Sequence, residues 1–215
     1  MDRLMRFVKA SFILGAVFSA SLALSGCAGP SVIVQHAEGG YRGDVLKNQT
    51  LILNVSNDVS VQEFRRTFDS RFGTGENYAK EIFNEISGFL QDMQGLAIVA
   101  YDSAQGGGEG SNPTNQKYAL NITDVTVANS LQYHSGTPMV TAGGGMMMTG
   151  GGNSESCIIT LDAELVRLSD SLSLWKVNCQ GKAGVFLFAF ETALMDATYK
   201  CVKNLCDFIR TGEPN

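Results

Sequence analysis

The sequence predicts an α+β fold: one domain over residues 49–211, with helices covering one face of a mixed, mainly antiparallel sheet. Three observations carry this expectation. Two short apolar runs, Leu51–Val55 and Leu96–Tyr101, flank a helical pattern. Two alternating segments, Cys157–Leu165 and Trp175–Cys179, face each other across the turn Ser169-Asp170-Ser171. A second helical pattern then closes the chain before Gly212 and Pro214.

Taken in order, residues 27–48 read as a tether. Ala28-Gly29-Pro30-Ser31 is small and turn-prone, and Gly39-Gly40 interrupts whatever precedes Tyr41. Val32-Ile33-Val34 is either a short strand or an extended arm. Thr50–Val55 is apolar and β-rich, and ends at Ser56-Asn57-Asp58, as a buried strand does. Ser60-Val61-Gln62-Glu63 has the spacing of a capping box and predicts a short helix to about Phe72. Its Arg65, Arg66 and Arg71 are expected on a solvated face, with anion binding as the alternative. From about Glu76 to Met93, Ala79, Ile82, Phe83, Ile86, Phe89, Leu90 and Met93 recur at three/four spacing and give one apolar helix face. Gly95 ends it.

A glycine-rich connection, residues 103–116, lacks the lysine and hydroxyl of a phosphate loop and is read as flexible. Lys117–Val127 alternates as a strand with one buried face, extending towards Tyr133. Gly143–Gly152 encloses Met146-Met147-Met148, three soft apolar side chains between glycines, and is expected to be a mobile hairpin tip. With His134 and Met139 these methionines offer soft ligands to Cu(I). A bare triplet sets no converging geometry, so no metal or other cofactor is expected. In the closing helix Phe190, Leu194, Ala197, Cys201, Leu205 and Phe208 form the buried stripe.

Residues 1–26 have another character. Arg3, Arg6 and Lys9 precede an apolar run from Phe12 to Leu24. The run is short for a membrane-spanning helix, which needs about 20 apolar residues, and has the layout of an export signal. It closes on Leu24-Ser25-Gly26-Cys27, which resembles the lipobox of bacterial lipoproteins. That resemblance implies cleavage before Cys27 and lipidation of its sulfur and amine. Several acyl chains, at about 0.8 kcal/mol per buried methylene, hold a protein durably on a bilayer. By the enterobacterial sorting rule, Ala28 after the cysteine implies the outer membrane. The expected location is its periplasmic side.

The chain carries a net charge of −5. Residues 1–26 hold three basic residues and Asp2, so the remainder is near −7. An acidic surface disfavours nucleic acid, whose phosphates require Lys and Arg. It equally disfavours electrostatic binding to anionic lipid. Membrane attachment is therefore expected only through the lipid on Cys27.

Cys157, Cys179, Cys201 and Cys206 remain, an even number in an oxidising compartment, which makes them disulfide candidates. In a helix, five residues turn Cys206 about 140° from Cys201 and advance it about 7.5 Å, beyond bridging range. Bridges are expected to join Cys157 and Cys179 to the C-terminal pair, at least one of them linking hairpin and helix. The alternative is four buried thiols acting as small hydrophobes.

The order of elements resembles the envelope lipoproteins built on the TolB amino-terminal-domain fold, among them the curli-export and peptidoglycan-synthase-activator lipoproteins. The matching pieces are Leu51–Val55, the helix at 76–93, Tyr118–Val125, the hairpin Ile158–Trp175 with Asp170 at its turn, and the closing helix. The resemblance implies a non-catalytic interaction or assembly module whose partner is another envelope protein. The alternative is an envelope enzyme. His36 and His134 stand in no nucleophile or zinc motif, and no catalytic residue is expected.

Overall fold

On the strand from Gly152 to Arg167 (β8), Cys157, Ile159, Leu161, Ala163 and Leu165 are buried, whereas the residues between them are partly exposed. The facing strand Leu172–Gly184 (β9) buries Trp175, Val177, Cys179 and Ala183. Register aligns the two sets: Leu161 lies opposite Cys179, Ala163 opposite Val177, and Leu165 opposite Trp175. One apolar face results, as period-two alternation requires. The hairpin turn is held by Arg167, whose Nη2 donates to Asp170 Oδ2 at 2.6 Å.

This computed structural model describes residues 31–38, 41–100, 117–134, 137–140, 146–149 and 152–214. The hairpin is the middle of a seven-stranded mixed sheet. The remaining strands are Val32–Ala37 (β1), Thr50–Val55 (β2), Val59–Val61 (β3), Ala97–Ala100 (β4) and Tyr118–His134 (β5). Across the sheet the order is β1, β9, β8, β5, β2, β4. The pairs β1/β9, β9/β8 and β8/β5 are antiparallel; β5/β2 and β2/β4 are parallel. β3 pairs with β5 in parallel beyond the end of β2. A bulge between Thr123 and Thr126, with Asp124 at φ 49°, shifts the side-chain parity of β5. Leu120 and Ile122 before it and Val125 and Val127 after it therefore all reach the core.

Three α-helices complete the fold: Arg65–Arg71 (α1), Gly75–Gln94 (α2) and Phe190–Thr211 (α3). Thr74 caps α2 by accepting from Asn77 N, and Gly95 ends it at φ 63°, where a side chain is disfavoured. α2 and α3 touch through Tyr78 and Thr198, whose hydroxyls lie 2.6 Å apart. The buried band of α3 is wider than the predicted stripe and includes Val202, Cys206 and Ile209. It is wider because α3 packs on both the sheet and α2. The α+β expectation, with helices on one face of a mixed sheet, holds.

Three expectations are corrected. The tether does not extend to residue 48: β1 hydrogen-bonds along β9, and Val32 and Leu46 are fully buried. An open β9 edge would expose a row of unpaired backbone groups, and β1 covers it. The Ser60–Glu63 capping box is not formed. Ser60 lies in β3 opposite Thr126, and α1 starts later, after Phe64, without a side-chain cap. The methionine triplet belongs to a hairpin, as expected, but lies in one of its strands and not at the tip. Met146–Thr149 (β7) pairs antiparallel with Thr137–Val140 (β6) as a separate two-stranded ribbon. Residues 103–116, Gly143–Gly145, Gly150 and Gly151 lie outside the described residues.

α3 approaches β9 most closely at Gly181. A methyl there would sit 2.0 Å from Ala197 O and 2.8 Å from Cys201 Cβ. Gly181→Ala therefore forces helix and sheet apart. Overpacking of this kind costs about 1–3 kcal/mol, and more where only backbone can yield. Denaturant unfolding should show a lowered midpoint at unchanged slope; an unchanged midpoint would contradict the packing described.

Candidate functional site

β5 and β8 run on together past the ends of β2 and β3, paired through Tyr133–Asn153 and His134–Gly152. On this extension Asn129 and Glu155 are neighbours, and Asn129 Nδ2 donates to Glu155 Oε1. β9 stops at Gly184, Val185 N still donates to Glu155 O at 2.8 Å, and the chain then turns at Leu187-Phe188 before entering α3. From the other side comes the start of α1. Phe64 and Phe190 meet edge to face with ring centroids 5.5 Å apart. Between these elements lies a cleft of about 550 Å³, lined by Glu63, Phe64, Arg66, Thr67, Ser70, Asn129, Glu155 and Phe190.

The lining is mixed in character. Phe64 and Phe190 supply apolar wall, and Glu63, Arg66 and Glu155 supply charge of both signs. Arg65 pairs with Asp69 at 3.8 Å and Arg71 with Glu191 at 3.5 Å, whereas Arg66 has no ion pair among the described residues. Arg65 follows the solvated-face reading of the arginines. Arg66 faces a cleft, which that reading did not foresee. Asn129 Oδ1 is buried and accepts no hydrogen bond among the described residues. Glu63 sits at φ 63°, a left-handed backbone that a glutamate seldom adopts. Such strain concentrates at functional sites. Ser70 Oγ donates to Thr67 O of its own helix at 2.8 Å, so this hydroxyl is engaged structurally. The arrangement suits binding of a polar segment with an apolar side chain.

The sequence-predicted residues lie elsewhere. Cys27 is outside the described residues. Cys157, Cys179, Cys201 and Cys206 are all buried free thiols, and the expected hairpin–helix bridge is not formed in this structure. The predicted meeting of hairpin and helix does occur: Cys201 Sγ donates to Cys179 O at 3.6 Å. Burial pushes the thiols of Cys157 and Cys179 up to about 12 and those of Cys201 and Cys206 well above the ordinary range. A reactive cysteine requires the opposite shift. His134, Met139 and Met146–Met148 contribute backbone to β5, β6 and β7, and the position of their side chains is not described.

Sequence reasoning missed Asn129, Glu155 and the segment Phe186-Leu187-Phe188. The first two are polar residues on long strands and look like any outward position. The third left a signal: three consecutive large apolar residues break the alternation of β9 before the helix begins.

No family model matches the chain, and no curated protein matches it. Among solved structures it resembles a protein assigned as a neuraminyllactose-binding hemagglutinin homolog from Helicobacter pylori. There the TM-score is 0.50 at 11% identity, over 80% of this chain and 89% of that one. A PelC dodecamer from Paraburkholderia phytofirmans aligns with TM-score 0.41 and 10% identity, over 84% of this chain and 98% of that one. At such identities the first likeness speaks for the fold alone.

The thiols give a test with a definite sign. Cys157 and Cys179 titrate near 12 when folded against 9.0 as ordinary thiols, so above pH 9 the unfolded chain binds fewer protons than the native one. Their contribution to stability is complete below about pH 9 and is lost progressively as pH rises towards 12. Denaturation midpoints should fall over that window. At neutral pH a thiol reagent should label none of the four until the chain unfolds, and then all four. Labelling of fewer after unfolding without reductant would reveal a bridge.

Proposed function

We propose that the chain is a non-catalytic interaction module of the cell envelope. It is held on the periplasmic face of the outer membrane by lipid on Cys27, and it presents the Glu63–Glu155 cleft to another envelope protein. The observation that carries the binding role is the cleft itself. An Asn129 acceptor and an Arg66 guanidinium, neither partnered among the described residues, and an apolar Phe64–Phe190 wall converge at one end of the sheet. Buried polar groups ordinarily have partners, so this acceptor is an unmet hydrogen-bond demand beside the cleft. The lipid anchor is supported by Leu24-Ser25-Gly26-Cys27 after an apolar run with basic residues ahead of it. The non-catalytic reading is supported by the upward shift of the thiols and by the engagement of Ser70 Oγ with its own helix. No cofactor is required by this role, and the acidic balance speaks against nucleic acid as a partner.

Two experiments test the reading separately. Cys27→Ala should release the protein into the soluble fraction or leave it as an uncleaved precursor; membrane fractionation with unchanged mass would remove the anchor. A photocrosslinking residue at Arg66 should yield a discrete protein adduct in intact cells, reduced by Asn129→Leu. The same residue at Lys80, exposed on α2, should not. Equal adducts from both positions would remove the cleft as the partner site.

A further inference from the structure

Phe186, Leu187 and Phe188 are 75%, 79% and 84% exposed, the three most exposed large hydrophobic side chains among the described residues. They are consecutive and lie on a defined turn. Val185 N is bonded to Glu155 O, Ala189 N donates to Phe186 O at 2.9 Å, and Phe190 N to Phe188 O at 2.9 Å. Leu187 and Phe188 both have left-handed backbone, at φ 49° and 62°, which large side chains rarely adopt. The turn therefore holds three apolar side chains out in water, in a conformation with its own cost. Leu131, 47% exposed, lies opposite Glu155 at the same end of the sheet.

We propose that this turn inserts into the interfacial layer of the bilayer that holds the Cys27 lipid, seating the domain in one orientation. The proposal rests on the anchored reading given above. What selects lipid as the occupant is where the chain enters. Ser31 O accepts from Gln180 N at 2.8 Å and Val32 lies opposite Cys179. β1 and β9 are antiparallel, so β1 begins beside the half of β9 that leads on to Gly184 and the turn. Cys27 is four residues from Ser31 and can lie at most about 14 Å away. Phe186 is six positions beyond Gln180 and two beyond the end of β9, about 20 Å away at strand rise. An anchor on so short a leash keeps the bilayer near the domain, within reach of the end that carries the turn.

The chemistry agrees. Large apolar side chains at a protruding tip, aromatic ones included, suit the membrane interface. The three side chains are consecutive and each at least 75% exposed, an outward apolar tip. A net charge near −7 after Cys27 gives anionic lipid no electrostatic hold, so the contact is apolar and independent of headgroup charge. The ribbon β6/β7, whose sequence carries Met139 and Met146–Met148, springs from the same end, between His134 and Gly152. Seated in this way, the Glu63–Glu155 cleft opens at the membrane surface.

The test uses full-length protein recovered from the membrane fraction and reconstituted in phosphatidylcholine vesicles with brominated acyl chains. A polarity-sensitive fluorophore is placed on Leu187→Cys, with Ser169→Cys at the far hairpin turn as the comparison. The label at 187 should shift to the blue and be quenched by the brominated chains, equally at low and high salt and with or without anionic lipid; the label at 169 should do neither. A vesicle-bound protein whose label at 187 stays unquenched overturns the insertion and leaves the anchor standing. In the Cys27→Ala background, residual vesicle binding should fall about tenfold or more in Phe186→Ser/Phe188→Ser, less than full burial of two aromatic side chains would give. Insertion by the Cys27→Ala chain when the parent proves unlipidated would support the turn and remove the anchor. Concentration-dependent self-association abolished by the double serine variant, without quenching, would assign the turn to a second copy and overturn the proposal.

Discussion

The closure of α3 onto β9 is the contact on which the rest of this fold depends. The absence of a side chain at Gly181 brings the helix backbone at Ala197 and Cys201 against the strand. That approach lets Leu194, Ala197, Cys201, Leu205 and Phe208 bury against the face formed by Trp175, Val177 and Cys179. Trp175 meets Phe208 edge to face at 5.3 Å and Tyr41 at 6.0 Å, so the same contact fixes the segment that leads from β1 into β2. Tyr41 Oη donates to Ile209 O at 2.9 Å and ties that segment to the end of the helix. Dense interiors transmit such constraints because they have no slack to absorb them.

From that core the functional end follows by geometry. β5 and β8 are longer than their neighbours, and the surplus length runs on past the ends of β2, β3 and β9. The bulge at Thr123–Thr126 keeps β5 facing the core on both sides, so the long strand stays in one sheet while its twist changes. Where β9 ends and β8 continues, the chain turns into α3; that turn carries Phe186–Phe188 and leads directly to Phe190, which walls the cleft. Cleft and apolar turn are thus neighbours because one strand is shorter than its partner.

Among the described residues, three of the six non-glycine positions with left-handed backbone, Glu63, Leu187 and Phe188, lie at this end. Each costs about 1–2 kcal/mol relative to ordinary backbone. A core with α3, α2 and a seven-stranded sheet sustains such a cost locally. The buried cysteines belong to the core side of this balance. Their sulfurs fill space between helix and sheet, and burial keeps them protonated.

The sequence by itself determined the elements whose patterns are strong and local. Leu51–Val55, the helix face from Ala79 to Leu90, the alternation of Cys157–Leu165 against Trp175–Cys179, and the stop at Gly212 all follow from periodicity and from glycine's freedom. It also carries the whole case for Cys27, because an export signal is read as a linear string. Tertiary structure decided what depends on distant partners. Val32-Ile33-Val34 allowed a strand or an arm, and the open edge of β9 made it a strand that runs on to Ala37. Ser60 joined β5 in preference to capping a helix, because a ladder of backbone bonds outweighs one side-chain cap. Asn129 and Glu155 sit 26 residues apart and became neighbours only through strand register. The exposure of Phe186–Phe188 is likewise a tertiary outcome: a run of large apolar residues ordinarily continues a strand, and only the end of β9 and the turn into α3 left it facing outward.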